Sequence, residues 1–278
     1  MITDIVKIAL KEDMGRGDIT SALTVSKNTK VKALIVAKSA GVVAGINIAR
    51  DVFSLVDRKI KFRPAVKDGA AVKKGKIVAR LNGPARGILT AERTALNLLG
   101  HLSGIASLTA EFKKRTRSYK VKIMDTRKTT PGMRLLEKYA VKAGGGANHR
   151  IGLWDQVLIK DNHIKIQKSK IKNQKLKDAI RFAKKRAPKG MKIEAEVGNL
   201  SEFKAALEAK PDIIMLDNMP IADMCKAVKI NAGLVKLEAS GNVTLANMRK
   251  IAATGVDMIS IGALTHSANA LDLSLEII

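Results

Sequence analysis

The sequence predicts an α/β protein with an N-terminal α/β sandwich domain followed by a parallel α/β barrel. From residue 121 onward, short apolar segments alternate with amphipathic helical segments. A strand-to-strand spacing of roughly 20–35 residues is typical of parallel βαβ units. Before that point, short strand-like segments are broken by Gly and Pro. We expect domains at 1–108 and 109–278, with a C-terminal helix at 265–278 packing back on the first domain.

Composition limits the class of protein. The 278 residues, 46% of them apolar, suffice for one large domain or two modest ones. The first residues predict an amphipathic helix rather than a signal peptide, and no run of about 18 apolar residues predicts a membrane span. The single cysteine, Cys225, excludes an internal disulfide and a multi-cysteine zinc site. This usage is typical of a reducing compartment, so we expect a cytoplasmic protein.

The charge is strongly basic, with 51 Lys and Arg against 25 Asp and Glu. The excess is concentrated in the basic run, residues 165–192, which holds twelve basic residues and one acid, Asp178. A basic face attracts phosphate backbones without sequence specificity. However, aromatic residues make up only 3%, and no zinc-finger or RNA-recognition motif is present. We therefore favour a solvated lysine-rich face, with a nucleic-acid-binding module as an alternative.

The expected elements before the barrel are, in order, a helix at 1–11, a Gly-rich acidic turn at 12–20, a strand–turn–strand at 31–45 and a helix at 46–56. In the second helix, Ile48, Val52 and Leu55 share one face. Residues 66–83 loosely resemble half of a lipoyl or biotinyl carrier domain. The second half, with its acceptor lysine at a hairpin tip, is missing from the sequence, so we favour a sandwich.

A long helix follows, for which Thr90 is the expected N-cap. We expect a bend near Gly100 or Gly104. Arg93 lies off the apolar stripe of this helix, which is formed by Leu96, Leu99, Leu102 and Ile105. An exposed arginine on a helix is common, and the pattern alone gives Arg93 no role.

The predicted barrel has six strands, at 121–125, 157–161, 193–197, 213–217, 235–239 and 258–262. Carboxyl ends of parallel strands meet at one rim, where ligands bind. The residues at these ends are Asp125, Lys160, Glu196, Asp217, Ser240 and Gly262, and none of them is apolar. Such a concentration of polar groups at one rim predicts an active face.

The stretch 124–163 carries five potential cations around the glycines at 144–146. They are Arg127, Lys128, His149, Arg150 and Lys160. Such a cluster is self-repelling unless it meets anions, and Arg grips carboxylates with a planar fork. For His149, a core position is the alternative to a site role. The adjacent glycines and Arg150 favour the site.

Two loops predict a phosphate site, since they follow the last two strands of the barrel and contain glycine. They are Ser240, Gly241 and Asn242, and the pair Gly262 and Ala263. Ordinary tight turns are the alternative. Glu196 and Asp217 lie at the ends of consecutive strands. Their carboxylates either form a site for a metal ion and ribose hydroxyls or are paired with the basic cluster. We expect Glu194 to point elsewhere.

Together these residues resemble the quinolinate phosphoribosyltransferase family, of the type II phosphoribosyltransferases. The matching strings are DTRKTTPG (125–132), EKYAVKAGGGANHR (137–150) and LIKDNH (158–163), supported by ERTALNLLGHLSGIAS (92–107), IEAEVGN (193–199), LEASGNV (237–243) and ISIGALTHS (259–267). The resemblance covers nearly the whole chain in order. One departure is Trp154, where a smaller aromatic is expected. The family's barrel is irregular and incomplete, which agrees with six strands.

The resemblance implies roles for residues of this chain. Quinolinate is bound by Arg93 of a neighbouring subunit and by Arg127, His149, Arg150 and Lys160. Phosphoribosyl pyrophosphate (PRPP) is bound by Thr126, Lys128, Glu196, Asp217, Ser240, Gly241, Asn242, Ile261, Gly262 and Ala263. Mg²⁺ comes with PRPP and is held by Glu196 and Asp217, indirectly through PRPP or water. Lys160, Glu196 and Asp217 are the implied catalytic residues.

The implied reaction converts quinolinate and PRPP into nicotinate mononucleotide, CO₂ and pyrophosphate, in de novo NAD biosynthesis. It needs no redox cofactor, and it implies a homodimer with shared active sites. Two enzyme alternatives remain. A relative that uses nicotinate would not need three arginines. An unrelated phosphosugar barrel enzyme would explain the two glycine-containing loops but not the DTRKT and NHR strings.

Overall fold

The structure, a computed structural model, describes residues 2–166 and 172–278. Its helices are α1 (Ile2–Met14), α2 (Ile19–Thr24), α3 (Ile46–Val56), α4 (Ala85–Arg115), α5 (Arg134–Ala143), α6 (Asp161–Lys165), α7 (Lys172–Arg186), α8 (Leu200–Ala209), α9 (Ile221–Asn231), α10 (Met248–Ala252) and α11 (Ala263–His266). Its strands are β1 (Lys30–Ala37), β2 (Gly41–Val42), β3 (Lys61–Pro64), β4 (Ala71–Val72), β5 (Ile77–Pro84), β6 (Lys122–Met124), β7 (Val157–Ile159), β8 (Ile193–Val197), β9 (Ile213–Asp217), β10 (Lys236–Ser240), β11 (Met258–Ser260) and β12 (Leu273–Ile277).

The chain divides into two compact units that are not contiguous in sequence. The first contains the residues up to Glu111, then 129–146 and 264–278, and the second contains 112–128 and 147–263. The predicted boundary at 108 lies near Glu111, where the chain first passes from the first unit to the second. Segments 129–146 and 264–278 belong to the first unit because they pack closely within it. A Cβ on Gly144 would lie 2.3 Å from the carbonyl oxygen of Ala106, so only glycine allows α5 to approach α4 this closely.

The first unit is built on an antiparallel sheet with strand order β12-β1-β5-β3, next to the pair β2-β4. The predicted C-terminal helix at 265–278 is wrong, because β12 pairs with β1 from Ala33 opposite Ile277 to Ala37 opposite Leu273. Leu273, Leu275 and Ile277 alternate along the chain, which is the period of a strand. The segment is therefore part of the first unit as a strand.

Three details of the first unit differ from expectation. α4 begins at Ala85, so Thr90 is not its N-cap; the Thr90 hydroxyl donates to the carbonyl of Arg86 at 2.8 Å. A threonine inside a helix can make this bond to the preceding turn. Leu55 is 44% exposed and does not share the buried face of Ile48 and Val52. Residues 19 and 20 belong to α2, for which Asp18 is the N-cap, and not to a turn.

Gly100 and Gly104 allow another segment to approach α4. The N–H of Leu271 donates to the carbonyl of Gly100 at 2.9 Å. A Cβ on Gly104 would lie 2.0 Å from the carbonyl oxygen of Asn269. Both glycines thus provide space for the segment that precedes β12.

The second unit is a six-stranded sheet with order β6-β11-β10-β9-β8-β7. Every pair of neighbours is parallel. All six strands were predicted within two residues of their ends, because each is a short apolar run followed by a polar residue. Within the described residues β6 and β7 form the two ends of the order, as expected for an incomplete barrel. The parallel order brings all six carboxyl ends to one rim.

The basic run contains α7, whereas its residues 167–171 lie outside the described part of the chain. Three of its lysines contact the region of α8: Lys172 pairs with Glu202, Lys177 pairs with Glu208, and Lys184 donates to the carbonyl of Lys210. These lysines link α7 to α8 and also form a charged surface. Among the described residues, no helix is long and apolar enough to cross a membrane.

Candidate active site

The strand ends of the second unit bring two predicted catalytic residues into contact. Lys160 directly follows β7, and Glu196 is the fourth residue of β8, the neighbouring strand. The Lys160 ammonium lies 2.7 Å from Glu196 Oε2. The Lys160 side chain is 44% exposed and that of Glu196 is 13% exposed. The pair is therefore accessible from solvent on the lysine side.

Asp217 is linked to the next strand end through asparagines. Asn218 donates to Asp217 Oδ2 at 3.0 Å, and Asn242 donates to Asn218 Oδ1 at 3.0 Å. The backbone N–H of Asn218 donates to the carbonyl of Ser240 at 2.9 Å. A Cβ on Gly241 would lie 2.2 Å from the Asn218 side chain, so glycine is required there. The β9 and β10 ends thus form one polar surface of Asp217, Ser240, Gly241 and Asn242.

The other predicted PRPP residues lie at the β6 and β11 ends. The Thr126 hydroxyl accepts a hydrogen bond from the Lys128 N–H at 3.0 Å, which orders the turn after β6. Ile261 donates its N–H to the carbonyl of Met124 at 2.9 Å. Gly262 follows, and Ala263 begins α11. In contrast, no helix begins directly after Asn242, since α10 starts at Met248.

The arginines of the cluster influence each other. Arg150 is only 8% exposed, and Arg127 follows β6 in the same unit. Burial and the positive charge of Arg127 lower the pKa of Arg150, while Glu194 raises it. Two guanidinium groups that repel each other in this way are stabilised by an anion. This supports a site for an anionic ligand.

His149 is buried against two carboxylates. Its Nε2 lies 3.1 Å from Glu194 Oε2 and 3.5 Å from Glu238 Oε1. Its backbone N–H donates to Asp125 Oδ1 at 2.8 Å. Burial lowers the pKa of His149, but its hydrogen bonds with Glu194 and Glu238 and their negative charges raise the pKa by more, because both carboxylates favour a hydrogen on Nε2. The contacts hold the imidazole in one orientation.

The expectation that Glu194 points elsewhere is wrong. Residues two apart on a strand share a face, so Glu194 and Glu196 both lie on the side of β8 that carries the site. Glu194 is fully buried against His149, whereas Glu196 lies nearer the end and reaches Lys160. Sequence reasoning also missed Asn218, Gln156 and Glu238. Glu238 was detectable, since it lies two residues before the strand end at Ser240.

Arg93 lies on α4 and belongs to the first unit, whereas the other predicted site residues all belong to the second unit. Its side chain is 65% exposed, and its guanidinium is 3.9 Å from Glu92. A loosely held, exposed arginine is available for contact with another molecule.

Glu196 and Asp217 fit the ligand preferences of Mg²⁺. Magnesium in phosphate sites takes one or two carboxylates and completes its shell with phosphate oxygens and water. Asp217 is half-buried and Glu196 keeps some exposure, so both carboxylates can face a hydrated ion. The donor set is too small to enclose a metal ion by itself, which agrees with an ion that arrives with a phosphate ligand.

Comparison with known families identifies both halves of the chain. The family model described as "Quinolinate phosphoribosyl transferase, N-terminal domain" matches residues 18–103. The model described as "Quinolinate phosphoribosyl transferase, C-terminal domain" matches residues 105–276. Together they cover almost the entire sequence.

Individual relatives agree with this. A protein of Bacillus subtilis named probable nicotinate-nucleotide pyrophosphorylase [carboxylating] is 42% identical over 96% of this chain and 90% of its own length. A protein of Mycobacterium leprae named nicotinate-nucleotide pyrophosphorylase [carboxylating] is 43% identical over 99% of this chain and 96% of its own. The solved structure of the Francisella tularensis nicotinate-nucleotide pyrophosphorylase superposes with a TM-score of 0.92 at 41% identity, covering 100% of this chain and 96% of that one.

Proposed function

The chain belongs to the quinolinate phosphoribosyltransferase family, and we propose how its residues divide the work of that reaction. The enzyme is a phosphoribosyltransferase, of the pentosyltransferase class, that converts quinolinate and PRPP into nicotinate mononucleotide, CO₂ and pyrophosphate in de novo NAD biosynthesis. We assign these roles because the cation cluster and the carboxylates of Glu196 and Asp217 lie at the same rim of strand ends. Lys160 and Glu196, which touch each other, join these two groups.

Quinolinate carries two adjacent ring carboxylates, and we assign these to the cations. Arg127 and Arg150 each offer a planar fork that can bind a carboxylate through two N–H groups. Burial and repulsion from Arg127 lower the pKa of Arg150, and a dianion between the two guanidinium groups relieves the repulsion. Lys160 completes the pocket, and Arg93 of a second copy closes it. Both ring nitrogens of His149 face protein groups, so His149 supports Arg150 from behind the pocket. A substrate with one carboxylate would use only part of this set.

PRPP is assigned to the loops on the other strand ends. Its 5-phosphate is bound by backbone N–H groups of Gly241, Asn242, Gly262 and Ala263, with Ser240 and Ile261 as neighbours. Gly241 has a φ of 93°, a conformation that glycine adopts without strain. Thr126 and Lys128 face the pyrophosphate. Glu196 and Asp217 hold the ribose hydroxyls.

Mg²⁺ is proposed to accompany PRPP, held by Glu196 and Asp217 through PRPP oxygens or water. When bound, the ion neutralises charge on the departing pyrophosphate. The carboxylates of this chain have a second task. As the bond between ribose C1 and the pyrophosphate oxygen breaks, positive charge develops on the sugar, and Glu196 and Asp217 stabilise it.

The pyridine nitrogen then forms the bond to C1 and becomes positively charged. The bond between C2 and its carboxylate breaks, CO₂ leaves, and the electron pair remains at C2 beside the positive nitrogen. A proton transferred to C2 completes nicotinate mononucleotide. Lys160 is the candidate donor of this proton, since it lies at the rim and its side chain is 44% exposed.

The remaining expectations are part of the same proposal. We expect a dimer at minimum, in which each subunit supplies Arg93 to its partner's site. One cysteine in 278 residues supports a cytoplasmic location. Small molecules are the expected partners, and nucleic acid and membranes are not.

The substrate assignment is tested by supplying PRPP and Mg²⁺ with either quinolinate or nicotinate and measuring pyrophosphate and nicotinate mononucleotide. We expect turnover of quinolinate and little of nicotinate, because nicotinate leaves part of the cation cluster without a carboxylate. Equal rates with both acids would overturn the assignment. Omitting Mg²⁺ in the presence of a chelator should abolish turnover, and full activity without any divalent ion would refute the metal proposal.

A further inference from the structure

Two carboxylates of the second unit are buried without a role in the chemistry described above. Glu194 on β8 is fully buried, and Glu238 on β10 is 1% exposed. A buried carboxylate is costly unless it is paired and hydrogen-bonded. The contacts of Glu194 show what it does.

One oxygen of Glu194 holds two neighbours at once. Its Oε2 accepts from the side-chain amide of Gln156 at 2.6 Å and lies 3.1 Å from His149 Nε2. Both of these neighbours also contact Arg150. The backbone N–H of Arg150 donates to His149 Nδ1 at 2.8 Å, and the guanidinium of Arg150 donates to the main-chain carbonyl of Gln156 at 3.0 Å.

These contacts form a closed ring of four residues: Arg150, His149, Glu194 and Gln156. The ring fixes Arg150 at its backbone through His149 and at its guanidinium through Gln156. An arginine side chain has many rotamers, and ordering it in advance lowers the entropy lost when a ligand binds. The ring therefore orders the Arg150 side chain before a ligand binds. It has two arms, one through His149 and one through Gln156, and Glu194 Oε2 is the atom that both arms share.

A metal ion is the alternative occupant, since ligand atoms of His149, Glu194 and Glu238 all lie within 4.8 Å of one another. The hydrogen bonds of His149 argue against a bound metal ion. Because Nδ1 accepts the N–H of Arg150, its lone pair is used there, and a neutral imidazole carries its hydrogen on Nε2. In this tautomer, the nitrogen facing the carboxylates is a hydrogen-bond donor and has no lone pair for a metal.

Glu238 supports this arrangement by its charge. Both of its carboxylate oxygens are buried and make no hydrogen bond within the described residues. Its Oε1 lies 3.5 Å from His149 Nε2, so it favours a hydrogen on that nitrogen.

We propose that Glu194 is a positioning residue for quinolinate binding, which acts on Arg150 through His149 and Gln156. It touches no substrate itself. Removing the shared acceptor should weaken quinolinate binding selectively, whereas an isosteric acceptor should preserve it. The inference rests on the quinolinate reaction, whose own test with the unmodified enzyme is separate.

The test measures KM for quinolinate, KM for PRPP and kcat in Glu194→Leu, Glu194→Gln and Gln156→Leu. Glu194→Leu should raise the quinolinate KM about tenfold and leave the PRPP KM within about twofold. Glu194→Gln, which keeps an acceptor oxygen, should remain within about threefold of wild type. Adding Gln156→Leu to Glu194→Leu should cause little further change, because both residues act through one ring.

Other outcomes would overturn the proposal. One is a parallel rise in both KM values, which would indicate general damage. Another is full additivity of the two leucine substitutions. If Glu194→Leu does not fold, Gln156→Leu alone decides, because it cuts one arm and should raise only the quinolinate KM. Finally, one transition-metal ion per purified chain, lost in Glu238→Gln, would assign these groups to a metal.

Discussion

Lys160 and Glu196 form an ion pair of 2.7 Å across the ends of two neighbouring strands. In the proposed reaction, Lys160 serves quinolinate and Glu196 serves the ribose of PRPP, so the pair joins the two substrate regions. Each residue provides the counter-charge of the other before substrates bind. When substrates bind, Lys160 exchanges its contact with Glu196 for a substrate carboxylate, and Glu196 exchanges it for the ribose. Loss of either residue should therefore affect catalysis more than folding.

Lys160→Ala should lower kcat/KM for quinolinate by about a hundredfold, because it removes a cation and leaves Glu196 without its partner. Lys160→Arg keeps the charge and should retain more activity than Lys160→Ala. Lys172→Ala is the matched control, since it breaks another lysine–glutamate pair, with Glu202, in the same unit. Steady-state kinetics of the three variants checks this. Equal losses in Lys160→Ala and Lys172→Ala would contradict a role for Lys160.

Arg127→Ala and Arg150→Ala should each raise the quinolinate KM, with little effect on the PRPP KM. A lost charge-assisted contact costs about 1.5–3 kcal/mol, or roughly ten- to a hundredfold in affinity. Arg181→Ala, on the exposed side of α7, is the control for loss of one positive charge. Titration with quinolinate measures the effect. An unchanged titration curve would place the substituted arginine outside the pocket.

Glu202 provides a prediction on stability and pH. Burial raises its pKa, but the N–H of Gly198, Lys172 and Asn199 lower it below the ordinary value of 4.5. A depressed pKa stabilises the fold above the unfolded value, and this contribution is lost as pH falls through the folded pKa. Glu202→Gln should therefore cost about 1–2 kcal/mol at pH 7 and less below pH 4.

Urea unfolding at both pH values measures this difference. Glu208→Gln is the control, because Glu208 is 61% exposed in its pair with Lys177 and should contribute less than about 0.5 kcal/mol. If the cost of Glu202→Gln were the same at pH 7 and pH 3.5, the ionised carboxylate would not be the source of the stabilisation.

The proposed homodimer, in which each subunit supplies Arg93 to its partner's site, predicts complementation between two inactive variants. Arg93→Ala subunits keep whole pockets but donate no arginine, and Lys160→Ala subunits donate Arg93 but have defective pockets. A two-fold contact is reciprocal, so a mixed dimer has one complete site. Random mixing should restore up to about a quarter of wild-type activity, since half the dimers are mixed.

Subunit exchange must be confirmed by mass spectrometry before activity is measured. If exchange is complete and no activity returns, Arg93 acts within its own chain or has no part in the site. A mixture of Arg93→Ala with itself after the same treatment gives the background.

The strands of the second unit were predictable because each is a short apolar run that ends in a polar residue. The rim residues followed from the same pattern. Two kinds of feature were not accessible. The pairing of β12 with β1 joins segments more than 200 residues apart, and local periodicity only indicates a strand there. The hydrogen-bonded ring around Arg150 depends on the angles of side chains from different loops, which sequence spacing does not define.

In the proposed reaction, these strand ends bind quinolinate and PRPP together, and the carboxylate next to the ring nitrogen leaves as CO₂. Quinolinate labelled with ¹³C in the 2-carboxylate is supplied with PRPP and Mg²⁺, and labelled CO₂ and pyrophosphate are quantified. We expect equal amounts of the two products and no labelled CO₂ without PRPP. Labelled CO₂ formed without PRPP, or pyrophosphate released while the label stays in the nucleotide, would contradict the proposed reaction.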